Sequence, residues 1–251
     1  MPELLGSLGE ESRQNRVAGV VLGIVTDNKD PEKLGRVKLR LPWHNQNEES
    51  DWIRIATLMA GKEMGIFFLP DNGDQVLVAF DNGDIGYPYI IGALWDSQNK
   101  PPEPNSDGKN NVKLIKSRSG HKIILDDNAE GKKEMLVIQT KSGHKISLDD
   151  SQGAEMIEIK DKSGNGSIRI DSAKNEITIS SGGKLSIKDR SGNSIQMDSG
   201  KIAVSSQSEL AVSSQAKLSL KAQIIEIEAG ATMTIKANGP LTVQGAIVKI
   251  N

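Results

Sequence analysis

The sequence predicts an all-β chain built in two styles, a small closed barrel followed by a long stack of short strands. Three observations predict it. All eight aromatic residues lie between Trp43 and Trp95, apolar residues alternate along short runs bounded by turn signals, and beyond residue 112 those runs recur at a nearly fixed interval. A stretch of 156 residues without one aromatic ring has to make its core from aliphatic side chains alone. Such a break in composition marks two architectures rather than one core.

Residues 1–15 are polar and are expected to form a flexible N-terminal segment. From Val17 the chain turns into short β-like runs: "VAGVVLGIVTD", "GRVKLRLPW", "DWIRIATLM", "GIFFLP", "DQVLVAF" and "YPYIIGALW". Asn72-Gly73 and Asn82-Gly83, each preceded by Asp, offer positive-φ turn residues on both sides of "DQVLVAF". Five or six strands in about 80 residues, with little helical periodicity, predict a barrel of the oligonucleotide/oligosaccharide-binding (OB) type over residues 16–99. Pro101, Pro102 and Pro104 then stiffen "NKPPEPNSDG" and cannot donate to a ladder, which makes residues 100–111 a linker.

Residues 112–251 are governed by repetition. "SGHKIILDDN", starting at Ser119, returns 23 residues later as "SGHKISLDDS", with weaker echoes in "SGNGSIRIDS" and "SGNSIQMDSG". Apolar i, i+2 pairs begin at Ile123, Leu136, Ile146 and Ile157, then at Ile168, Ile177, Leu185, Ile195, Ile202, Leu210, Leu218, Ile225, Met233, Leu241 and Val248. From Ile168 onward the intervals are 9, 8, 10, 7, 8, 8, 7, 8, 8 and 7 residues. Each pair lies on one face of a strand, and about eight residues hold one short strand and one turn. One octad buries too little and exposes two backbone edges, so other chains are expected to cover those edges. Three chains around one axis would turn every apolar face inward, into an interior too narrow for rings.

Several chemistries are unfavoured by composition. The chain has no cysteine, which removes disulfides and thiolate metal sites. No stretch approaches the roughly 20 apolar residues of a membrane helix, and "MPELLGSLGEESRQNR" has no signal-peptide pattern, so synthesis and folding in the cytoplasm are expected. Residues 1–111 hold 11 Lys and Arg against 17 Asp and Glu, a balance that repels phosphate and argues against nucleic acid on Trp43 and Trp52; core or trimer contacts suit those rings better. Paired acids lack an aromatic platform to hold a sugar, so no hydrolase and no catalytic residue is expected. His44, His121 and His144 are the only histidines. Rings of them in a trimer would suit a transition metal, but solvated side chains beside turns are the expected reading, and the "LDD" runs read as turns rather than calcium ligands. A left-handed β-helix acyltransferase would need a six-residue unit.

The phrases "GIVTDNKDPEKLGRVKLRLPW", "DWIRIATLMAG", "LPDNGDQVLVAFDNGDIGYPYIIGALW" and "PPEP", which together span Gly23 to Pro104, resemble the central spike of contractile injection systems, the group of phage baseplate assembly protein V and VgrG. The octad half resembles that family's trimeric β-helix. The resemblance implies a structural, non-enzymatic spike: a homotrimer at the tip of the inner tube, part of a baseplate, virion or tail-like particle, which pierces a target membrane. It implies a hub protein at the barrel end, since no hub region precedes the barrel. A PAAR-type tip is implied on "GPLTVQGAIVKIN", because no His-x-His iron device stands near the C-terminus; as a separate departure, no lysozyme-like insertion separates barrel from needle. The alternative is a trimeric β-helical tail-fibre or adhesin segment.

Two residue sets carry these expectations, with no cofactor and no bound metal. The needle core is assigned to Ile195, Met197, Ile202, Val204, Leu210, Val212, Leu218, Leu220, Ile225, Ile227, Met233 and Ile235. The tip seat is assigned to Gly239, Pro240, Val243, Gly245, Val248, Ile250 and Asn251.

Overall fold

The computed structural model describes residues 16–43 and 48–250; the N-terminal segment 1–15, His44 and Asn251 lie outside the described residues. The chain divides into two compact units, one ending at Gly182 and the other starting at Gly183. The first unit holds the barrel and the early repeats.

The barrel uses β1 (Val20–Asp27), β2 (Lys38–Arg40), β3 (Arg54–Ile55), β6 (Gln75–Phe80) and β7 (Pro88–Leu94) in the sheet order β2-β1-β6-β7-β3. Every pairing is antiparallel except β3 with β7, where Arg54 lies opposite Tyr89 and Ile55 opposite Ile90 in parallel. The sheet closes on itself through the bridge Val37↔Ile53, whose two backbone bonds measure 3.1 and 2.8 Å. A parallel contact between third and last barrel strands, with closure onto the second, is the OB arrangement, and closure leaves no free edge. Alternation on β6 buries Val76, Val78 and Phe80 with Val25, Val37, Leu39, Ile53 and Ile90. Gly23 sits where β1 crosses this core: a Cβ there would stand 2.9 Å from Leu39 Cδ1 and 3.2 Å from Val78 Cγ2.

Two expectations for this half need correction. "GIFFLP" is not a strand: only Met64–Gly65 (β5) is extended, in a two-residue hairpin with Ala60–Gly61 (β4), and Phe67 and Phe68 stand exposed beyond it. Nor do Trp43 and Trp52 belong to the buried core, the first of the two places expected for them, for Phe80 is the single ring in that aliphatic cluster. Trp43 meets Phe80 edge-on at 6.5 Å, Lys38 lies 5.5 Å from the centre of Trp52, and Arg54 lies 4.9 Å from that of Tyr89.

The early repeats are β8 (Val112–Lys116), β9 (Lys122–Asp126), β10 (Met135–Gln139), β11 (Lys145–Asp149), β12 (Met156–Lys160), β13 (Ser167–Asp171) and β14 (Glu176–Ser180). They form one antiparallel meander in chain order. The repeated "SG" is its hairpin turn. Gly120 (φ 97) and Gly143 (φ 101) take the left-handed conformation that glycine adopts without strain, while the Ser117 and Thr140 amides donate across the turn to the His121 and His144 carbonyls at 2.9 Å. At the first turn position a side-chain oxygen adds a further bond: Ser117 Oγ and Thr140 Oγ1 accept the amides of His121 and His144 at 3.1 Å, and Asp189 Oδ1 accepts that of Asn193 at 2.8 Å. In the third copy Asp161 takes this place; its carboxyl, held chiefly by the Ser163 hydroxyl and then by the Gly166 amide, is pulled down to about 2.

In the second unit β15 (Leu185–Lys188), β16 (Ser194–Asp198) and β17 (Lys201–Ser205) form a three-stranded meander. Residues 206–250 contain no strand paired within the chain. The expectation that other chains cover every strand edge is therefore corrected for residues 112–205. There, loops of two to eight residues let successive strands fold back on one another, and the edges inside each meander are paired by the chain itself.

Candidate functional site

The chemistry of this chain lies in its surfaces. On β8–β14 the register aligns aliphatic side chains into two columns on one face. One runs Ile115, Ile123, Ile138, Ile146, Ile159, Ile168, Ile179; the other runs Leu125, Leu136, Leu148, Ile157, Ile170, Ile177. All but Leu136 are exposed in the single chain. Thirteen aliphatic side chains on one open face far exceed the scattered apolar exposure of a monomer surface. The opposite face changes character along the sheet: Leu114, Ile124 and Val137 near its start give way to Ser147, Glu158, Arg169 and Thr178.

The same layout recurs in β15–β17. Leu185, Met197 and Ile202 make one column, and Ile187, Ile195 and Val204 the other, again on one face. Four residues of the assigned needle core thus share a face by register, and all four are exposed. Further on, Leu210, Val212, Leu218, Leu220, Ile225, Ile227, Met233 and Ile235 are exposed as well. From Leu210 onward the first member of each pair is less exposed than the second, from 59% against 66% at Leu210 and Val212 to 50% against 91% at Val248 and Ile250, so these octads present one geometry. In the assigned tip seat, Gly239, Pro240, Val243, Gly245, Val248 and Ile250 are all exposed.

The barrel carries a different apolar surface. Leu58 (92% exposed), Met64, Phe67 and Phe68 surround an open groove of ≈ 1230 Å³ that Lys33, Leu34 and Met59 also line. Sequence reasoning missed this groove because it read "GIFFLP" as one more β-like run of the barrel. The segment that rims it, Asp30–Arg36, is held rigidly. The Asp30 carboxylate, 3% exposed, takes Arg36 Nε at 2.9 Å and Nη2 at 2.8 Å, and also the amides of Glu32 and Leu34 at 3.0 Å and of Arg36 at 3.3 Å. The Arg36 guanidinium, first, and these amides hold the Asp30 carboxyl far below the usual carboxylate range.

Imidazoles link the turns. His121 Nδ1 accepts the Lys141 amide at 3.4 Å, and His144 Nδ1 accepts the Lys162 amide at 3.2 Å, each reaching from one "SG" turn to the next on the same side. Asn193 Oδ1 does the same for the Gln207 amide at 2.8 Å. No group of three or more His, Cys, Asp or Glu placed to hold a metal occurs among the described residues, and none of their helices is long and apolar enough to cross a membrane.

Two family models match the chain. The type VI secretion system/phage-baseplate injector OB domain matches residues 21–95, and the phage baseplate V C-terminal trimerisation domain matches residues 135–208. The chain belongs to the phage baseplate V and VgrG spike family. The barrel match covers the closed OB sheet, and the trimerisation match begins at β10, the strand whose Leu136 and Ile138 join the apolar columns.

Relatives agree with the family. Type VI secretion system spike protein VgrG3 of Vibrio cholerae is 36% identical over 87 residues, which is 33% of this chain and 9% of that protein. VgrG2a of Pseudomonas aeruginosa is 30% identical over 102 residues, 39% of this chain and 12% of that protein. The actin cross-linking toxin VgrG1 of Vibrio cholerae is 39% identical over 75 residues, 28% of this chain and 7% of that protein. The match thus spans only a small part of each relative's length. Membership of this baseplate spike family supports a structural spike role.

Proposed function

We propose that this baseplate V-like spike protein is a homotrimer that rides at the tip of an inner tube and pierces a target envelope, with no catalysis of its own. The observation that carries the reading is the open aliphatic face of β8–β14, together with the separate face of the same layout on β15–β17. A face of that size needs a cover, and the match to a trimerisation domain supports two further copies as that cover. Residues 112–251 then act as the needle and residues 16–99 as the docking barrel, joined by 100–111. The groove around Leu58, Phe67 and Phe68 supports a protein partner on the barrel, and a hub protein is the partner assigned to it. A PAAR-type tip is assigned to residues 239–251.

Light scattering on the purified chain tests the reading. A mass of three times 27.1 kDa is expected, and a folded monomer overturns it. Truncation after Asn238 is expected to leave the trimer and hub binding intact while abolishing co-purification of the tip. Retention of the tip by the truncated spike moves the seat elsewhere.

A further inference from the structure

The repeated strand "KIxLD" has a property that the aliphatic face does not use. Within β9 and β11 the first residue is Lys and the last is Asp, and both project on the face opposite the aliphatic columns. Antiparallel pairing gathers these ends by sign. Along one edge of the sheet the register runs Lys116, Lys122, Gln139, Lys145, Lys160; along the other it runs Val112, Asp126, Met135, Asp149, Met156, Asp171.

The lysine edge is unbalanced inside the chain. Lys116 lies directly opposite Lys122, and Lys145 directly opposite Lys160, pairings that destabilise an isolated sheet. Among the described residues none of these four ammonium groups has an ion pair or a hydrogen bond. On the other edge Asp126 and Asp149 spend one oxygen on the turn that follows, accepting the Asn128 amide at 3.2 Å and the Ser151 amide at 2.9 Å. Among the described residues neither has an ion pair within 4 Å, although the Ser151 hydroxyl also bonds Asp149 and the Lys145 charge acts on it more weakly. Asp171 differs, being already closed by Arg169 at 2.9 Å and Lys174 at 3.2 Å.

We infer that the two edges are complementary faces of one subunit contact: Lys122 and Lys145 of one copy pair with Asp126 and Asp149 of the next. The inference rests on the trimer proposed above. In a three-fold ring every contact is heterologous, so each copy's lysine edge meets its neighbour's aspartate edge and never another lysine edge. Lys122 and Asp126 end the same strand, as do Lys145 and Asp149, so a ring without axial offset brings partners to the same level. An inverted copy would set lysine against lysine. The contact therefore selects the parallel orientation and the axial register, while the aliphatic columns, which are alike at every level, do neither.

The experiment is a mutant cycle on the full chain. Lys122→Gln with Lys145→Gln removes the two lysine partners; Asp126→Asn with Asp149→Asn removes the two aspartate partners and keeps an oxygen for each turn. Trimer stability is read from urea titrations followed by light scattering, at low salt and at 1 M NaCl. Each double variant is expected to lower the trimer association constant by about tenfold or more at low salt, and the quadruple variant to be no weaker than either, because one set of pairs is lost in all three. The differences should vanish at 1 M NaCl, where the Debye length is about 3 Å. Additive losses, or no loss at low salt in a wild-type trimer, overturn the edge pairing alone. A wild-type chain that runs as a monomer overturns the trimer and the pairing with it.

Discussion

Ile202 and Ser205 lie on the same strand, β17, and both are exposed in the single chain, yet they face opposite ways. Ile202 belongs to the column with Leu185 and Met197, whereas Ser205 pairs with Ser194 on the other face. A substitution at either residue has little to disturb within one subunit, so any difference between them reports assembly. Fully burying an isoleucine side chain stabilises by about 1.5–3 kcal/mol. With 71% of Ile202 still exposed, assembly has about 1–2 kcal/mol per chain left to gain there, or about 3–6 kcal/mol per trimer. Ile202→Ala is thus expected to weaken the trimer association constant by about two to four orders of magnitude. Ile202→Asp should abolish assembly, since it places three unpaired carboxylates in a dry interior at several kcal/mol each. Ser205→Asp should assemble like wild type. Light scattering over a dilution series reads all three. Equal tolerance at the two positions would refute the assignment of this face to the trimer interior.

Two further outcomes follow from the local geometry. His144→Ala removes the acceptor for the Lys162 amide, whose hydrogen exchange should speed up by about tenfold, while His144→Asn should preserve protection because Asn193 already plays that part for Gln207. Asp30 has its folded pKa depressed by Arg36, so its contribution to barrel stability is complete above the unfolded carboxylate range near pH 4 and declines as the pH falls further; Asp30→Asn should lower the thermal midpoint at pH 7 and flatten its loss on acidification, as read by circular dichroism.

Legibility in the sequence followed the range of the interactions. The i, i+2 aliphatic pairs were readable because side-chain direction in a strand is local, and the pairs at Ile123, Ile146 and Ile157 fall on one face as expected. The "SG" turns were readable for the same reason, glycine at positive φ being a one-residue property. What the alternation could not show is whose backbone covers an edge. That depends on whether the chain reverses between strands, and the same Ile-x-Leu serves a hairpin or a wound strand. In the barrel, β3 is only two residues long and pairs in parallel with a strand 35 residues away, so neither its length nor its partner is written locally. Exposed rings such as Phe67 and Phe68 have the same composition as core; only the groove they rim distinguishes them.

Left-handed residues show where the chain stops covering its own edges. Each of the eight hairpin connections from β8 to β14 and from β15 to β17 contains at least one residue with positive φ: Gly120, Lys132, Gly143, Gly153, Gly164 and Asn175 in the first sheet, Gly192 and the Ser199-Gly200 pair in the second. After Gly200 the described chain has none, although Gly230, Gly239 and Gly245 were available for the purpose. Tight reversals of a twisted ribbon favour that conformation, and residues 206–250, which lack it, do not fold back on themselves as the earlier repeats do. Their amide and carbonyl groups still require partners once the aliphatic pairs are removed from water. Another copy of the same sequence meets the requirement at every level, because its octads arrive at the same spacing. In the proposed trimer the early strands can therefore form their ladders before assembly, whereas the terminal octads would gain theirs with it, and residues 206–250 are where stability should depend most steeply on protein concentration.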